Sequence, residues 1–132
     1  MALDTRSGSQ LTSNVVTATD LEIGLDESDG VTFVCLRGRL SIDSSPAFRD
    51  RLLTLLREQS TNIAVDMTDV SYIDASGIAT LVEGLKIALA CQKTLCLEGL
   101  QGRVLRLFEV TGLLDLFETN GCRKSSTESK VS

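Results

Sequence analysis

The side chains best suited to chemistry crowd into one stretch, VDMTDVSYIDASG, which holds Asp66, Asp69, Asp74, Ser76 and Gly77. Ser76 stands where an apolar helix begins, and the first turn of a helix has backbone N–H groups without intrahelical partners. A hydroxyl there has two jobs open to it. It can cap the helix, a contribution of about 1 kcal/mol, or it can accept a phosphoryl group, whose charge the helix N-terminus favours. The two are not exclusive, and Gly77 beside it leaves room for a partner's active site to approach. Asp66, Asp69 and Asp74 could hold Mg²⁺, or they could end a strand, make a turn and support a helix entry; the second reading is preferred, because no phosphate-cradling Gly-x-x-x-x-Gly-Lys-Ser/Thr loop accompanies them.

The rest of the chemical inventory is thin. The chain has no His, so the commonest general base and the commonest zinc ligand are both missing. Lys86 and Lys93 are poor partners for a serine nucleophile. The four cysteines, Cys35, Cys91, Cys96 and Cys122, form no C-x-x-C pair and read as reduced thiols rather than a zinc site or a disulfide framework. The expectation is a non-enzymatic protein with no catalytic residues, no metal and no cofactor.

Hydrophobic periodicity shows what must position that stretch. Leu21, Ile23 and Leu25 alternate with polar residues as in a half-buried strand, and an Asp-Gly turn leads to the β-rich run Val31 to Leu36. Ser45 then reads as an N-cap with Pro46 at the first helical position. Phe48, Leu52, Leu55 and Leu56 share one helical face. Ile63 to Met67 is a short core strand, followed by a polar turn at Thr68 and Asp69. From Gly77 to Gln92 the period is helical, with Ile78, Leu81, Leu85, Ala88 and Leu89 as the buried stripe. Thr94 to Leu97 is a further strand, and Val104, Leu107 and Phe108 mark a last helix that Gly112 ends. Leu114, Leu116 and Phe117 read as a short edge strand.

Strands that alternate with helices require crossovers and a parallel part of the sheet, while the opening hairpin makes that sheet mixed. The fold class is therefore a small single α/β domain with about four to five strands in a mixed sheet. It is expected over residues 20–118, between flexible tails at 1–19 and 119–132. The chain has 132 residues, 13 of them basic and 18 acidic, for a net charge of -5. That balance argues against a nucleic-acid partner, whose affinity rests on clustered Lys and Arg. No apolar run reaches the length of a membrane span, and the first residues lack the apolar core of a signal peptide, so a cytoplasmic location without membrane insertion is expected.

The segment VDMTDVSYIDASGIATLVEGLKIA resembles the core of the STAS domain of bacterial anti-sigma factor antagonists, a strand ending in Val-Asp-Leu and an Asp-x-Ser-Gly opening a long apolar helix. GRLSIDSSPAFRDRLLTLL and VLRLFEVTGLLDLF resemble the segments on either side, in the family's order and spacing from Leu21 to Phe117. The resemblance implies a phospho-switchable binding protein. Unphosphorylated, it would hold an anti-sigma factor with a GHKL-type serine kinase fold and so free a sigma factor. Phosphorylation, carried over to Ser76, would release the partner, and a PPM-type phosphatase would reverse it. The partner-binding surface implied comprises Ser41, Asp43, Asp74, Ala75, Ser76, Gly77 and Ile78.

Three departures from the family pattern stand out. Ser41 replaces a frequent Asp and follows Arg39 and Leu40, which implies partner contacts by that loop different from the family's. Ala75 replaces a second Ser found in some members, leaving Ser76 as the hydroxyl of the tetrapeptide. The polar end after Phe117 implies a reduced terminal helix, with an uncovered face that would favour a homodimer. The alternative within the family is a STAS subunit docked on the cytoplasmic ATPase of a lipid-transport ABC system, in which Ser76 is only a cap. A nucleotide-binding sensor is a third reading that no phosphate loop supports.

Overall fold

The computed structural model describes residues 15–18, 20–58 and 62–120, with backbone alone for 15–18 and 120. Among the described residues five strands, β1 (Val15–Ala18), β2 (Leu21–Ser28), β3 (Val31–Leu40), β4 (Asn62–Ile73) and β5 (Thr94–Glu98), lie in the order β1-β2-β3-β4-β5. The first two pairings are antiparallel and the last two parallel, as the hairpin followed by crossovers requires. Helix α1 (Ser45–Arg57) connects β3 to β4, α2 (Ala75–Ala90) connects β4 to β5, and α3 (Gly102–Val110) and α4 (Leu113–Asn120) follow β5. This is the expected mixed-sheet α/β domain. Strand β1 falls within the segment expected as the first tail, and Thr119 and Asn120, expected in the second, complete α4. The remainder of both expected tails lies outside the described residues.

Alternation decides which face of the sheet is covered. Val34 and Leu36 of β3 are buried, whereas Cys35 and Arg37 between and beyond them are exposed. Leu21 and Ile23 of β2, Ile63 and Val65 of β4 and Leu95 of β5 join Val34 in one core with Phe48, Leu52 and Leu56 of α1 and Leu81 and Leu85 of α2. Each such side chain contributes roughly 1.5–3 kcal/mol by leaving water.

Helices α1 and α2 pack side by side, and small residues set how closely. A Cβ at Gly84 would come within 2.6 Å of Leu52 Cδ2, so the absence of one lets the α1 leucine sit against the α2 backbone. Outside that contact, Arg49 donates two hydrogen bonds of 2.7 Å to the Glu83 carboxylate. The buried stripe of α2 runs Gly77, Thr80, Leu81, Gly84, Leu85 and Ala88, a little rotated from expectation, which leaves Leu89 exposed.

Four local expectations are corrected. The cap of α1 is Ser44, one residue before Ser45, and its side chain makes no capping bond to the helix. Ser44 Oγ instead accepts from the Ser41 N–H and donates to the Arg39 carbonyl, while Ser45 turns inward with its hydroxyl unpartnered among the described residues. Strand β4 does not stop at Met67. The polar step before Asp69 is absorbed by a register shift against β3, a second shift falls at Ser71, and Asp66 Oδ1 accepts from both the Thr68 N–H and its hydroxyl. Such bulges place an extra residue in one strand and bend it.

The third correction is to the edge strand read at Leu114 to Phe117, which is helix α4. Gly112 adopts φ +79°, which ends α3, and its carbonyl then accepts the Leu116 N–H to open the next turn. Leu113, Leu116 and Phe117 follow helical rather than alternating spacing, and Phe117 is 2% exposed, its ring 6.3 Å from that of Phe108. A closing helix is thus present. The uncovered face expected to favour a homodimer is covered at Phe117. The last correction concerns the thiols: Cys35 and Cys91 are free, but Cys96 is disulfide-bonded rather than reduced.

Because α4 seals the core, Phe117→Ala is expected to lower stability by about 3–5 kcal/mol, measured by urea unfolding. An edge strand at this position would give a far smaller loss.

Candidate functional site

The site is assembled where the ends of β3 and β4 meet the start of α2. Parallel pairing places Leu40 opposite Ile73, so the turn after β3 and the helix after β4 begin side by side. The Asp74 N–H donates to the Leu40 carbonyl at 3.2 Å, extending the ladder by one bond. Asp74 has extended backbone (φ -120°, ψ -172°) and is the N-cap of α2. Its Oδ1 accepts from the N–H groups of Ser76 (2.9 Å) and Gly77 (3.2 Å), and its Oδ2 accepts from the N–H of Ile42 at 3.0 Å.

This corrects the capping role read for Ser76. Both Asp and Ser are good caps, and the one with extended backbone immediately before the first helical residue fills the position. Ser76 lies one residue inside the helix, half-buried; its carbonyl accepts from Thr80 Oγ1, and its own hydroxyl makes no hydrogen bond among the described residues. Gly77 also has a different role from the one expected. It is buried, and a Cβ there would lie 2.8 Å from the Leu40 carbonyl and the Ile73 side chain, so its bareness serves packing under the helix rather than a partner's approach.

The residues predicted to bind a partner divide accordingly. Asp43 and Ala75 are exposed, Asp74, Ser76 and Ile78 are half-buried, and Ser41 and Gly77 face inward. Ser41 is 6% exposed, its Oγ accepting the Asp43 N–H and its carbonyl the N–H groups of Ser44 and Ser45. It shapes the turn instead of lining its surface. Ile42, 68% exposed in this turn, was not among the predicted residues, and at the ends of β3 and β4 the Arg39 guanidinium lies 4.0 Å over the Tyr72 ring. Arg39 also pairs with Asp20 at 3.3 Å. An apolar residue out of phase with the α1 stripe was the available signal for Ile42.

The acidic residues do not converge. Asp66 is tied to Thr68, Asp69 lies 3.8 Å from Arg37, and Asp74 caps α2. Among the described residues no group of three or more His, Cys, Asp or Glu is arranged to hold a metal ion. The Cys35 thiol is pushed up from its ordinary pKa, first by burial and then by the negative charges of Asp66, Asp26, Asp69 and Glu98. That keeps it protonated, the reverse of an activated nucleophile. Among the described residues no helix is long and apolar enough to cross a membrane.

A mixed sheet packed against helices, with a tied turn and a capped helix start side by side, defines a small single α/β domain. The chain belongs to the STAS domain family: residues 23–118 match the family model described as "Mlab, STAS domain". It is similar to the anti-sigma-B factor antagonists of Bacillus subtilis (29% identical over 99 residues, 75% of this chain and 90% of the relative) and Staphylococcus aureus (32% over 101 residues, 76% and 94%). Its fold is similar to that of an anti-sigma factor antagonist from Mycobacterium paratuberculosis (TM-score 0.66, 18% identity, 78% of this chain and 88% of that one). It also resembles the Bacillus cell fate determinant SpoIIAA in its phosphorylated form (TM-score 0.59, 18% identity, 70% and 86%).

Removing the Asp74 carboxylate would strand three backbone donors. Asp74→Ala is therefore expected to cost about 1–3 kcal/mol, and Asp74→Asn, which keeps one acceptor, less. Chemical denaturation reads the stability, and amide exchange at Ile42 should quicken in both variants.

Proposed function

We propose that this chain is an anti-sigma factor antagonist. In this reading it binds an anti-sigma factor through the turn after β3 and the first turn of α2, and so frees a sigma factor. The names of its relatives, at about three quarters of the chain, support that partner class. The partner in this reading has a GHKL-type serine kinase fold. The Ser76 oxygen attacks the γ-phosphorus of ATP held by the partner, the bond to the β–γ bridging oxygen breaks, ADP leaves, and a base on the partner takes the hydroxyl proton. Water then hydrolyses the phosphoserine on a PPM-type phosphatase, returning serine and inorganic phosphate.

The observation that carries this reading is the division of labour at the helix start. Asp74 has taken the capping bonds, so the hydroxyl of Ser76 is left without a structural duty. A phosphate there adds about -1.5 to -2 charges beside a carboxylate and within a docking surface, where repulsion and desolvation both oppose binding. SpoIIAA, which shares the fold, has been solved phosphorylated and unphosphorylated. A second reading has one observation in its favour: Ala75 is the exposed position of the first turn, and Ser76 is only half-exposed. It makes the same surface a permanent contact, as in a STAS subunit on the ATPase of a lipid-transport ABC system.

The GHKL-fold anti-sigma factors encoded in the same genome, purified one by one, provide the test. Wild type and Ser76→Ala are expected to bind one of them alike, with phosphate appearing on wild type alone after ATP is added. Ser76→Asp should bind at least ten-fold more weakly, about 1.4 kcal/mol. Equal affinity of all three proteins, with no phosphate on an active kinase's substrate, would decide for the permanent contact.

A further inference from the structure

We propose that Ile42 is the apolar anchor of the docking surface, a specificity-determining residue that seats in an apolar pocket of the anti-sigma factor; this rests on the function proposed above. Ile42 is 68% exposed, although the neighbouring chain is firmly held. Its own N–H is bound by Asp74 Oδ2, and the flanking turn is closed by the Ser41 N–H on Ser44 Oγ, the Ser44 hydroxyl on the Arg39 carbonyl, and the Asp43 N–H on Ser41 Oγ. An isoleucine on a loose loop could fold back onto the protein. This one is held out in water by polar bonds on either side of it.

Two features direct that side chain to the same partner as Ser76. One carboxylate bridges the backbone of Ile42 and the backbone of Ser76, so the anchor and the modifiable hydroxyl belong to one rigid unit. The turn has also buried its serines, Ser41 and Ser44, leaving Ile42 and Asp43 as what it offers outward. A preorganised apolar side chain binds without a large ordering cost, and a few such residues near the centre of an interface carry most of its energy.

Binding of the purified anti-sigma factor identified above, by calorimetry, tests this. Ile42→Ala is expected to weaken Kd by roughly ten-fold and Ile42→Asp by more, with Ile42→Leu close to wild type. Unfolding midpoints should not move, because the side chain is exposed. Val110→Ala, at the 73% exposed valine of α3, serves as the control for a loss of surface apolarity elsewhere and should bind as wild type. If Ile42→Ala stays within about two-fold of wild type while Ser76→Asp releases the partner, the anchor is refuted and the function stands. If wild type binds none of the anti-sigma factors, the function falls and the anchor with it.

Discussion

Everything at the candidate site depends on where one carboxylate, that of Asp74, sends its two oxygens. Asp74 closes the last bond of the β3–β4 ladder through its backbone, caps α2 with Oδ1, and fastens the turn after β3 with Oδ2. A conventional N-cap satisfies donors of its own helix. This one also holds a donor 32 residues away in sequence, so helix and turn keep one mutual geometry. Three backbone N–H groups that would otherwise need water are satisfied, and the hydroxyl two residues on is relieved of capping.

The core exists in a form that delivers this carboxylate. Strand β4 must run far enough to bring Asp74 beside Leu40, yet the residues available after Met67 are polar. Two register shifts solve the conflict by looping out the extra residues while the parallel ladder continues to Ile73. Helix α2 must then leave the sheet at once and lie close over it. Gly77 permits that departure, because any Cβ would strike the Leu40 carbonyl, and Gly84 lets α1 lock the helix in place. Packing glycines and the capping aspartate are therefore parts of one arrangement.

Much of this was legible in the chain, and the misreadings share physical causes. The hairpin, the crossovers and the apolar helix after Asp-Ala-Ser-Gly follow from periodicity, which reports burial directly. Periodicity fails where polar residues continue a strand, as at Thr68 and Asp69, since a bulge and a turn use the same residue types. It fails again at Leu114 and Leu116, whose two-residue spacing mimics a strand although Leu113, Leu116 and Phe117 recur at helical intervals. The cap was misplaced by one residue at α1 and by two at α2, because Ser and Asp cluster at both helix entries and only backbone conformation selects among them. Ile42 was overlooked for another reason: its one sequence signal is an apolar residue out of phase with the α1 stripe, and the bond that holds its backbone comes from Asp74, 32 residues on.

A surface held this tightly constrains how a switch at Ser76 would work. The nearest backbone donors, Ser76 and Gly77, already give their protons to Asp74. A phosphate added at Ser76 would have to displace that carboxylate, stranding Ile42, or else extend outward with its charge unneutralised by the helix. On the outward path a bound partner would have to desolvate that uncompensated charge, which opposes binding. Neither path requires the core to move. In the proposed switch, a domain whose turn and helix start are joined by a single carboxylate would respond to modification by changing what it presents, and the sheet beneath would remain as it is.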